Sequence, residues 1–432
     1  MIRLAKLAWR NFSRHLNRYR VLLLALTVVV AVLVIVLGSV TGMRGTLRDK
    51  ASRYFAGDVV VFGYMDGGES LIEDPESVTG AIERSGIDAL TVSRRSTYYR
   101  PGDANLFHAG YYTPQRRFVG VEWDLEAPVL ERFDFAAGGV PEPGDEQGIL
   151  ISTIAARELQ ASVGDSIIVS SSTDQGVANT VEAIVRGIYR ESSFFGYSAY
   201  LERRTLNRLL DRPVEQVNEI GIYLTGGEGG ELRAAETVNR HLAEVLPTFP
   251  VIRDREQNSA ERAASREERH YGTITLGAQL AEINDLLEAM TIIAAAIITL
   301  FLFLVVIGVS NTFSMVVYER TREIGTLRAM GMTRGRTVVL FLVEALLLGL
   351  AGVLLGTLLG VGVLELARNY LSIGGASGFT SLFLVGGRIE WALPPEALVT
   401  SASLAIAASL AGVLRAAVRG AGVAPVDALR HE

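Results

Sequence analysis

Four long apolar runs constrain this chain more than any other feature of its sequence. They cover residues 21–42, 289–318, 337–366 and 397–418, and the first two contain no charged residue. A helix needs about 20 mostly apolar residues to cross a bilayer. The first run is also longer than the roughly 7–15 apolar residues of a secretory signal peptide. We therefore predict four membrane-spanning helices, of which the first is retained as an anchor.

The distribution of basic residues predicts how these helices are oriented. Residues 1–20 carry six basic residues and no acidic one, and residues 319–336 carry five arginines against two glutamates. Short loops rich in arginine and lysine stay in the cytoplasm. We therefore expect both termini, including the tail 419–432, to be cytoplasmic together with 319–336. Residues 43–288 and the loop 367–396 are then expected outside.

The segment before the first span has the pattern of an amphipathic helix. Its basic residues lie away from one apolar helix face. The apolar residues of that face recur at spacings of three and four: Ile2, Ala5, Trp9, Phe12 and Leu16. Such a helix lies in the plane of the membrane interface. We predict that residues 1–20 form one on the cytoplasmic face.

The large outer segment has a strongly acidic composition. Residues 43–288 contain 39 acidic and 25 basic residues, a net charge of −14. An acidic domain is unsuited to nucleic acid, because binding to the phosphate backbone depends on positive charge. The chain has no cysteine, so no disulfide stabilises this segment. We predict a membrane α-helical protein with a large mixed α+β extracytoplasmic domain between helices one and two.

Local patterns within the outer segment predict several elements. A short helical stalk and then a strand at 58–64 follow the first span. Within 148–172 the pattern indicates a strand, a short helix, a turn and a second strand. A further helix is expected over about 232–246. From about Ser259 we expect helix that continues as a stalk into the second span, with an apolar stripe that includes Leu276.

A search for catalytic motifs finds none. The two lysines, Lys6 and Lys50, do not follow a G-x-x-x-x-G-K-[ST] loop, so the chain lacks the lysine that would hold nucleotide phosphates. The five histidines are scattered and match no zinc-binding spacing. We therefore expect no enzyme activity, no cofactor site and no metal site in this chain.

The third span contains two unusual features. Gly352, Gly356 and Gly360 recur at every fourth residue and share one helix face, and small residues of this kind let helices approach closely in lipid. Glu344 lies in the same span, where a carboxylate is costly and normally has a partner. It has two interpretations, a proton or substrate site and a structural pair with an arginine of the nearby cytoplasmic loop. We favour the second.

Residues 319–336 interrupt two of the most apolar stretches of the chain. The sequence ERTREIGTLRAMGMTRGR can form a short helix that Gly331 and Gly335 would end. It is too polar to cross the bilayer, and it carries more charge than topology requires. It would present a mixed charged and apolar surface in the cytoplasm, which suits docking to another protein.

The run from Tyr318 to Gly360, YERTREIGTLRAMGMTRGRTVVLFLVEALLLGLAGVLLGTLLG, resembles the signature of the FtsX/MacB/LolC–LolE-like permeases of ABC transporters. The basic segment before the first span, GILISTIAARELQASVGDSI in the outer segment and the ending APVDALRHE are similar to the same family. The resemblance covers the whole chain, and its closest form is the lipoprotein-releasing LolC/LolE type. It implies a MacB-like extracytoplasmic domain and location in the bacterial inner membrane.

The resemblance also implies partners and site residues. In such permeases the loop between spans two and three is a coupling helix that seats on a separate cytoplasmic ATPase, which binds ATP and magnesium. The matching positions here are Glu319, Arg322, Glu323, Ile324, Leu327, Arg328, Met330 and Gly331. The family transmits ATP-driven motion to the outer domain, and a second copy or a paralogue completes a dimer. The implied cargo is a lipoprotein or another amphiphile.

Other functions are compatible with the same residues. The permease could act in efflux or mechanotransmission for another cargo, such as a peptide, a drug or a cell-wall hydrolase that it activates. A different class is a membrane sensor or scaffold that transports nothing, in which the basic loop recruits a cytoplasmic partner. A P-loop ATPase encoded beside this chain would favour the permease over the sensor.

Overall fold

The computed structural model describes residues 16–65, 70–100, 102–191, 194–225, 229–264, 268–371, 378–385 and 387–422. The chain divides into two compact units. The first contains residues 1–44, 287–372 and 388–432, and the second contains residues 45–286 and 373–387. The predicted amphipathic helix lies mostly outside the described residues, since the first helix is described from Leu16 onward.

Long apolar helices dominate the first unit. Four of the described helices are long and apolar enough to cross a membrane. They and a short helix that follows the second of them are α1 (Leu16–Tyr54), α9 (Ala281–Glu319), α10 (Thr321–Ala329), α11 (Arg334–Tyr370) and α12 (Pro395–Gly422). Strand β14 (Arg388–Ile389) precedes α12. Each long helix contains one of the four predicted spans and extends beyond it, because charged and polar helix-forming residues flank the apolar runs.

Side chains from all four long helices meet in the centre of this unit. Leu26 of α1, Val309 of α9, Phe341 of α11 and Val413 of α12 are fully buried in one cluster. Tyr19 packs on the ring of Phe313, with the two ring centroids 5.7 Å apart. The apolar runs therefore form a packed bundle, and the sides of the helices that face away from it remain apolar and exposed.

A twelve-stranded mixed sheet forms most of the second unit. Its strand order is β12-β1-β11-β2-β5-β10-β7-β9-β8-β3-β4, with β6 paired to β9. The strands are β1 (Val59–Tyr64), β2 (Ala89–Tyr98), β3 (Asn105–His108), β4 (Tyr111–Pro114), β5 (Arg117–Val121), β6 (Phe135–Gly138), β7 (Gly148–Ser152), β8 (Ser166–Ser172), β9 (Ala178–Tyr189), β10 (Ser198–Glu202), β11 (Glu219–Leu224) and β12 (His270–Thr275). Most neighbours are antiparallel, and β7 runs parallel to β9 as β10 does to β5.

Short helices cover this sheet and complete two separate cores. They are α2 (Pro75–Arg84), α3 (Trp123–Leu130), α4 (Thr153–Leu159), α5 (Arg203–Leu209), α6 (Glu231–Leu242), α7 (Arg255–Ala264) and α8 (Leu276–Gln279). One core joins β1 and β11 to α2 and α6, and the other joins β7, β9 and β10 to α4 and α5. The unit also includes β13 (Leu384–Val385), from the loop between α11 and α12. The expected mixed α+β domain is therefore present.

The helical stalk predicted from about Ser259 onward is wrong in part. Residues His270–Thr275 form β12, whose antiparallel partner is β1, with Val60 opposite Ile274. The alternation of β-branched and aromatic side chains in HYGTIT favours a strand, and burial against the sheet exceeds any helical preference. Leu276 is buried at the start of α8, and the long helix into the second span begins only at Ala281.

Candidate functional site

The candidate site is the turn that connects the second and third long helices. Helix α9 ends at Glu319, and Arg320 leaves the helical conformation with φ −97° and ψ 11° before α10 begins at Thr321. Gly331 has a φ of +97°, a left-handed conformation that glycine adopts without strain. The Thr333 hydroxyl then accepts a hydrogen bond from the backbone N–H of Arg336 and caps α11. We call residues 319–333 the elbow.

The elbow divides the predicted docking residues into exposed and buried positions. The exposed ones are Glu319, Arg322, Glu323, Met330 and Gly331. Leu327 and Arg328 are half-buried. Ile324 is only 6% exposed and belongs to the helix-bundle cluster, so its side chain attaches α10 to the bundle and does not reach an outer surface.

A buried ion pair lies directly behind the elbow. Arg320 Nη1 donates to both carboxylate oxygens of Glu344, at 3.2 Å each. The Tyr19 hydroxyl lies 3.4 Å from Glu344 Oε2. Glu344 is 1% exposed and Tyr19 is 2% exposed. The structure thus gives Glu344 an arginine partner from the adjacent loop, as the favoured interpretation of its sequence requires.

The predicted glycine face of α11 lies against α1. A Cβ atom added at Gly356 would lie 2.5 Å from Val30 Cβ and 2.8 Å from the Thr27 carbonyl oxygen. Gly352 meets Leu26 in the same manner, and Gly360 meets Val34. These glycines therefore pack two helices of one chain together. Helix α12 contains two similar glycines, which were not predicted from the sequence. Gly412 packs on Val309 of α9, and Gly420 packs on Val317 of the same helix.

The second unit holds the end of α1 with two arginines. Arg95 Nη1 donates to the Arg53 carbonyl at 2.9 Å, and Arg117 Nη1 donates to the Tyr54 carbonyl at 2.7 Å. Arg95 is completely buried and also contacts Glu126 through Nε at 2.6 Å and Nη2 at 3.0 Å. Cations near a helix C-terminus bind its unpaired carbonyls and oppose its partial negative charge. This arrangement fixes the last turn of α1 to the sheet.

A lysine of the second unit binds the loop between α11 and α12. Lys50 Nζ donates to Glu191 Oε1 at 2.9 Å and to the Ser381 carbonyl at 3.1 Å, and both lysine and glutamate are buried. The helical turn Gly378–Phe383 that contains Ser381 is part of the second unit. The contact joins three segments that are distant in sequence.

One carboxyl group of the second unit, that of Glu202, has a pKa above its usual range. Burial and the neighbouring Glu122 carboxylate raise the pKa of Glu202 to about 7. The Glu202 side chain lies beside Arg203, which pairs with Glu122 at 3.0 Å. Within the described residues, no group of three or more histidine, aspartate or glutamate side chains could hold a metal ion.

The C-terminal part of the chain, which includes the elbow, is similar to a family of known proteins. The FtsX-like permease C-terminal domain matches residues 295–420. The lipoprotein-releasing system transmembrane protein LolC of Haemophilus influenzae is 25% identical over 73% of this chain and 72% of its own length. The macrolide export ATP-binding/permease protein MacB of Chromobacterium violaceum is 32% identical over 40% of this chain and 26% of its own.

Two further similarities cover 23% and 54% of this chain. An uncharacterised ABC transporter permease of Methanocaldococcus jannaschii is 33% identical over 23% of this chain, and the match spans 27% of that relative. The crystal structure of the periplasmic region of MacB from Actinobacillus actinomycetemcomitans covers 54% of this chain and 95% of that chain, with a TM-score of 0.33 and 10% identity. The predicted resemblance to these permeases is confirmed by the sequence matches.

Proposed function

We propose that this chain, which contains an FtsX-like permease domain, is the membrane subunit of an ABC transporter whose ATP is hydrolysed by a separate subunit. One observation carries the proposal. The elbow joins two long apolar helices and exposes a mixed surface of Arg322, Glu323 and Met330, while Ile324 attaches it to the bundle. A surface that is exposed on one side and anchored on the other suits a part that receives force from a docked partner.

The chain segments that make up the second unit support the proposed membrane topology. Residues 45–286 and the turn Gly378–Phe383 belong to one compact unit. A single folded body lies on one side of a bilayer. If all four long helices cross the membrane, both segments are on the outer side and the elbow is on the cytoplasmic side, which agrees with the basic residues of the elbow.

The helices that leave the bundle supply the proposed path of motion. Helix α1 is 39 residues long, and so is α9, which leads into the elbow. At about 1.5 Å per residue each is about 58 Å long, well beyond the roughly 30 Å of hydrocarbon. We propose that such helices carry displacement from the ATPase to the outer domain.

The proposed cargo is a lipoprotein that the transporter releases from the inner membrane. This proposal rests on the relative named LolC, because its similarity to this chain extends over 73% of the chain. The transporter would act as a dimer, with itself or a paralogue, beside its ATPase subunits. Efflux of another amphiphile stands as the alternative, supported by the shorter match to a macrolide exporter.

The docking proposal is tested at the elbow. Co-expression with a P-loop ATPase encoded beside this chain, followed by affinity purification, measures how much ATPase stays with the permease. We expect Glu323→Arg to lower the retained ATPase at least five-fold, because it reverses a charge on the exposed face, and Leu327→Trp to do the same. Gly335→Ala is the control, since a Cβ there meets nothing within 4 Å. Full ATPase retention in Glu323→Arg and Leu327→Trp, with normal membrane insertion, would count against docking at this surface.

A further inference from the structure

Arg320 occupies the corner between α9 and α10. It is the single residue between the two helices, its backbone N–H donates to the Val316 carbonyl at 3.1 Å, and its carbonyl accepts from the Ile324 N–H at 2.9 Å. Its side chain is 8% exposed, whereas the neighbouring Arg322 is exposed. The basic elbow thus directs one arginine inward.

Glu344 lies where this arginine can connect three helices. It is the eleventh residue of α11, and it accepts hydrogen bonds from Arg320 of the elbow and from the Tyr19 hydroxyl of α1. Arg320 Nε also lies 3.3 Å from Glu323, a residue of α10 itself. The contacts therefore connect α10 to α11 and α1 through polar groups at one point.

Stability alone is a poor reason for this pair. Removing two charges from water costs about as much as their attraction returns, so apolar residues of similar volume could fill the space equally well. Apolar contacts are non-directional, whereas charge-assisted hydrogen bonds, such as those from Arg320 Nη1 to the Glu344 carboxylate, are directional. A charged pair at a corner is therefore suited to holding α10 at one angle.

We propose that Arg320 and Glu344 form a buried latch that fixes α10 to α11 and α1, so that these helices move together when a partner displaces the elbow. The two side chains are positioning residues, because they hold the docking surface and do not contribute to it. The inference rests on the proposed function for its consequence in transport, while the latch itself concerns only this chain.

The first test measures the position of α10 directly. Because the chain contains no cysteine, cysteines introduced at Thr326 and Leu350, which are exposed on α10 and α11, can carry spin labels without background. The distance distribution between the labels is compared for wild type, Glu344→Gln and Arg320→Met. The charge-swapped variant Arg320→Glu/Glu344→Arg tests whether the pairing matters. Glu365→Gln and Arg368→Met provide matched controls on α11, since both residues are exposed.

A latch predicts a narrow distribution in wild type and in both controls. We expect the distribution to be at least two-fold broader in Glu344→Gln and Arg320→Met, and the swapped pair to be narrower than either single variant. Distributions as narrow in the single variants as in the controls would overturn the latch, and so would a swapped pair no narrower than they are. If the single variants do not accumulate in the membrane, the amount of accumulated protein is measured instead. The latch then requires the charge-swapped variant to restore that amount.

The second test separates the latch from docking. In detergent-purified complexes we expect Glu344→Gln to retain ATPase within two-fold of wild type, because the exposed elbow residues are unchanged. In wild type the label distance should stay constant when ATP is added, and in Glu344→Gln it should change, because α10 then moves alone. A constant distance in both proteins would contradict the latch. Absence of ATPase from wild-type complexes would instead reject the docking proposal. The latch would then be judged by the first test, which measures the label distances without ATP.

Discussion

At the scale of single residues, neighbouring arginines on β2 have very different surroundings. Arg95 and Glu126 are both fully buried, while the adjacent Arg94 pairs at 3.3 Å with Glu76, whose side chain is 82% exposed. Solvent and salt weaken an exposed ion pair to about 0–1 kcal/mol. Breaking a buried pair by removing one charge costs about 3–5 kcal/mol, because the other charge stays buried and unpaired.

This contrast gives a matched prediction about stability. We expect Glu126→Gln to lower the free energy of unfolding by about 3–5 kcal/mol and Glu76→Gln to change it by less than about 1 kcal/mol. Urea unfolding of the purified chain in detergent measures both, followed by the fluorescence of its three tryptophans, of which Trp123 lies in the sheet unit. Equal midpoints for the two variants would show that the buried pair does not hold the end of α1 as described.

Burial also explains which residues sequence could not identify. The elbow contains three arginines, and charge alone gives no reason to choose Arg320 over Arg322. Which arginine is buried depends on the corner after Glu319. This corner directs the side chain of Arg320 toward Glu344 and leaves that of Arg322 exposed. The carboxylate itself was identifiable, because an acidic residue inside an apolar run requires a partner.

At the scale of elements, the long apolar runs were predictable and β12 was not. A run of about 20 apolar residues has few structural alternatives, so α1, α9, α11 and α12 follow from composition. The six residues of β12 lie between two helical patterns, so their short strand-like sequence decides the structure only together with their pairing to β1. The glycine face was predictable as a close contact, but its partner depends on how the helices are arranged in space.

The contact of α11 with α1 gives a prediction for a single methyl group. We expect Gly356→Ala to destabilise the bundle by about 1–3 kcal/mol, because the new Cβ would lie 2.8 Å from a backbone oxygen that cannot move freely. The control is Gly362→Ala on the same helix, where a Cβ meets nothing within 4 Å. Thermal unfolding in detergent should show a lower midpoint only for Gly356→Ala. An unchanged midpoint would mean that α1 and α11 pack less closely than described.

At the scale of the whole molecule, the functional proposals depend on which side of the membrane the elbow and the sheet unit occupy. The proposed transmission of ATP-driven motion across the membrane requires the elbow and the sheet unit to lie on opposite sides of the bilayer. The distribution of basic residues predicts that they lie on opposite sides, and the structure adds that the turn Gly378–Phe383 folds into the sheet unit. Charge bias and chain connectivity are independent reasons for the same topology.

Single-cysteine labelling tests this topology because the native chain has no cysteine. Cysteines at Gln175, Thr380 and Thr326 occupy exposed positions in the sheet unit, the loop between α11 and α12, and the elbow. We expect a membrane-impermeant maleimide to label Gln175→Cys and Thr380→Cys in spheroplasts, and Thr326→Cys only after the membrane is permeabilised. Labelling of Thr326→Cys in intact spheroplasts would place the elbow outside, where no cytoplasmic ATPase could reach it. Different behaviour of Gln175→Cys and Thr380→Cys would contradict the single folded unit that contains both.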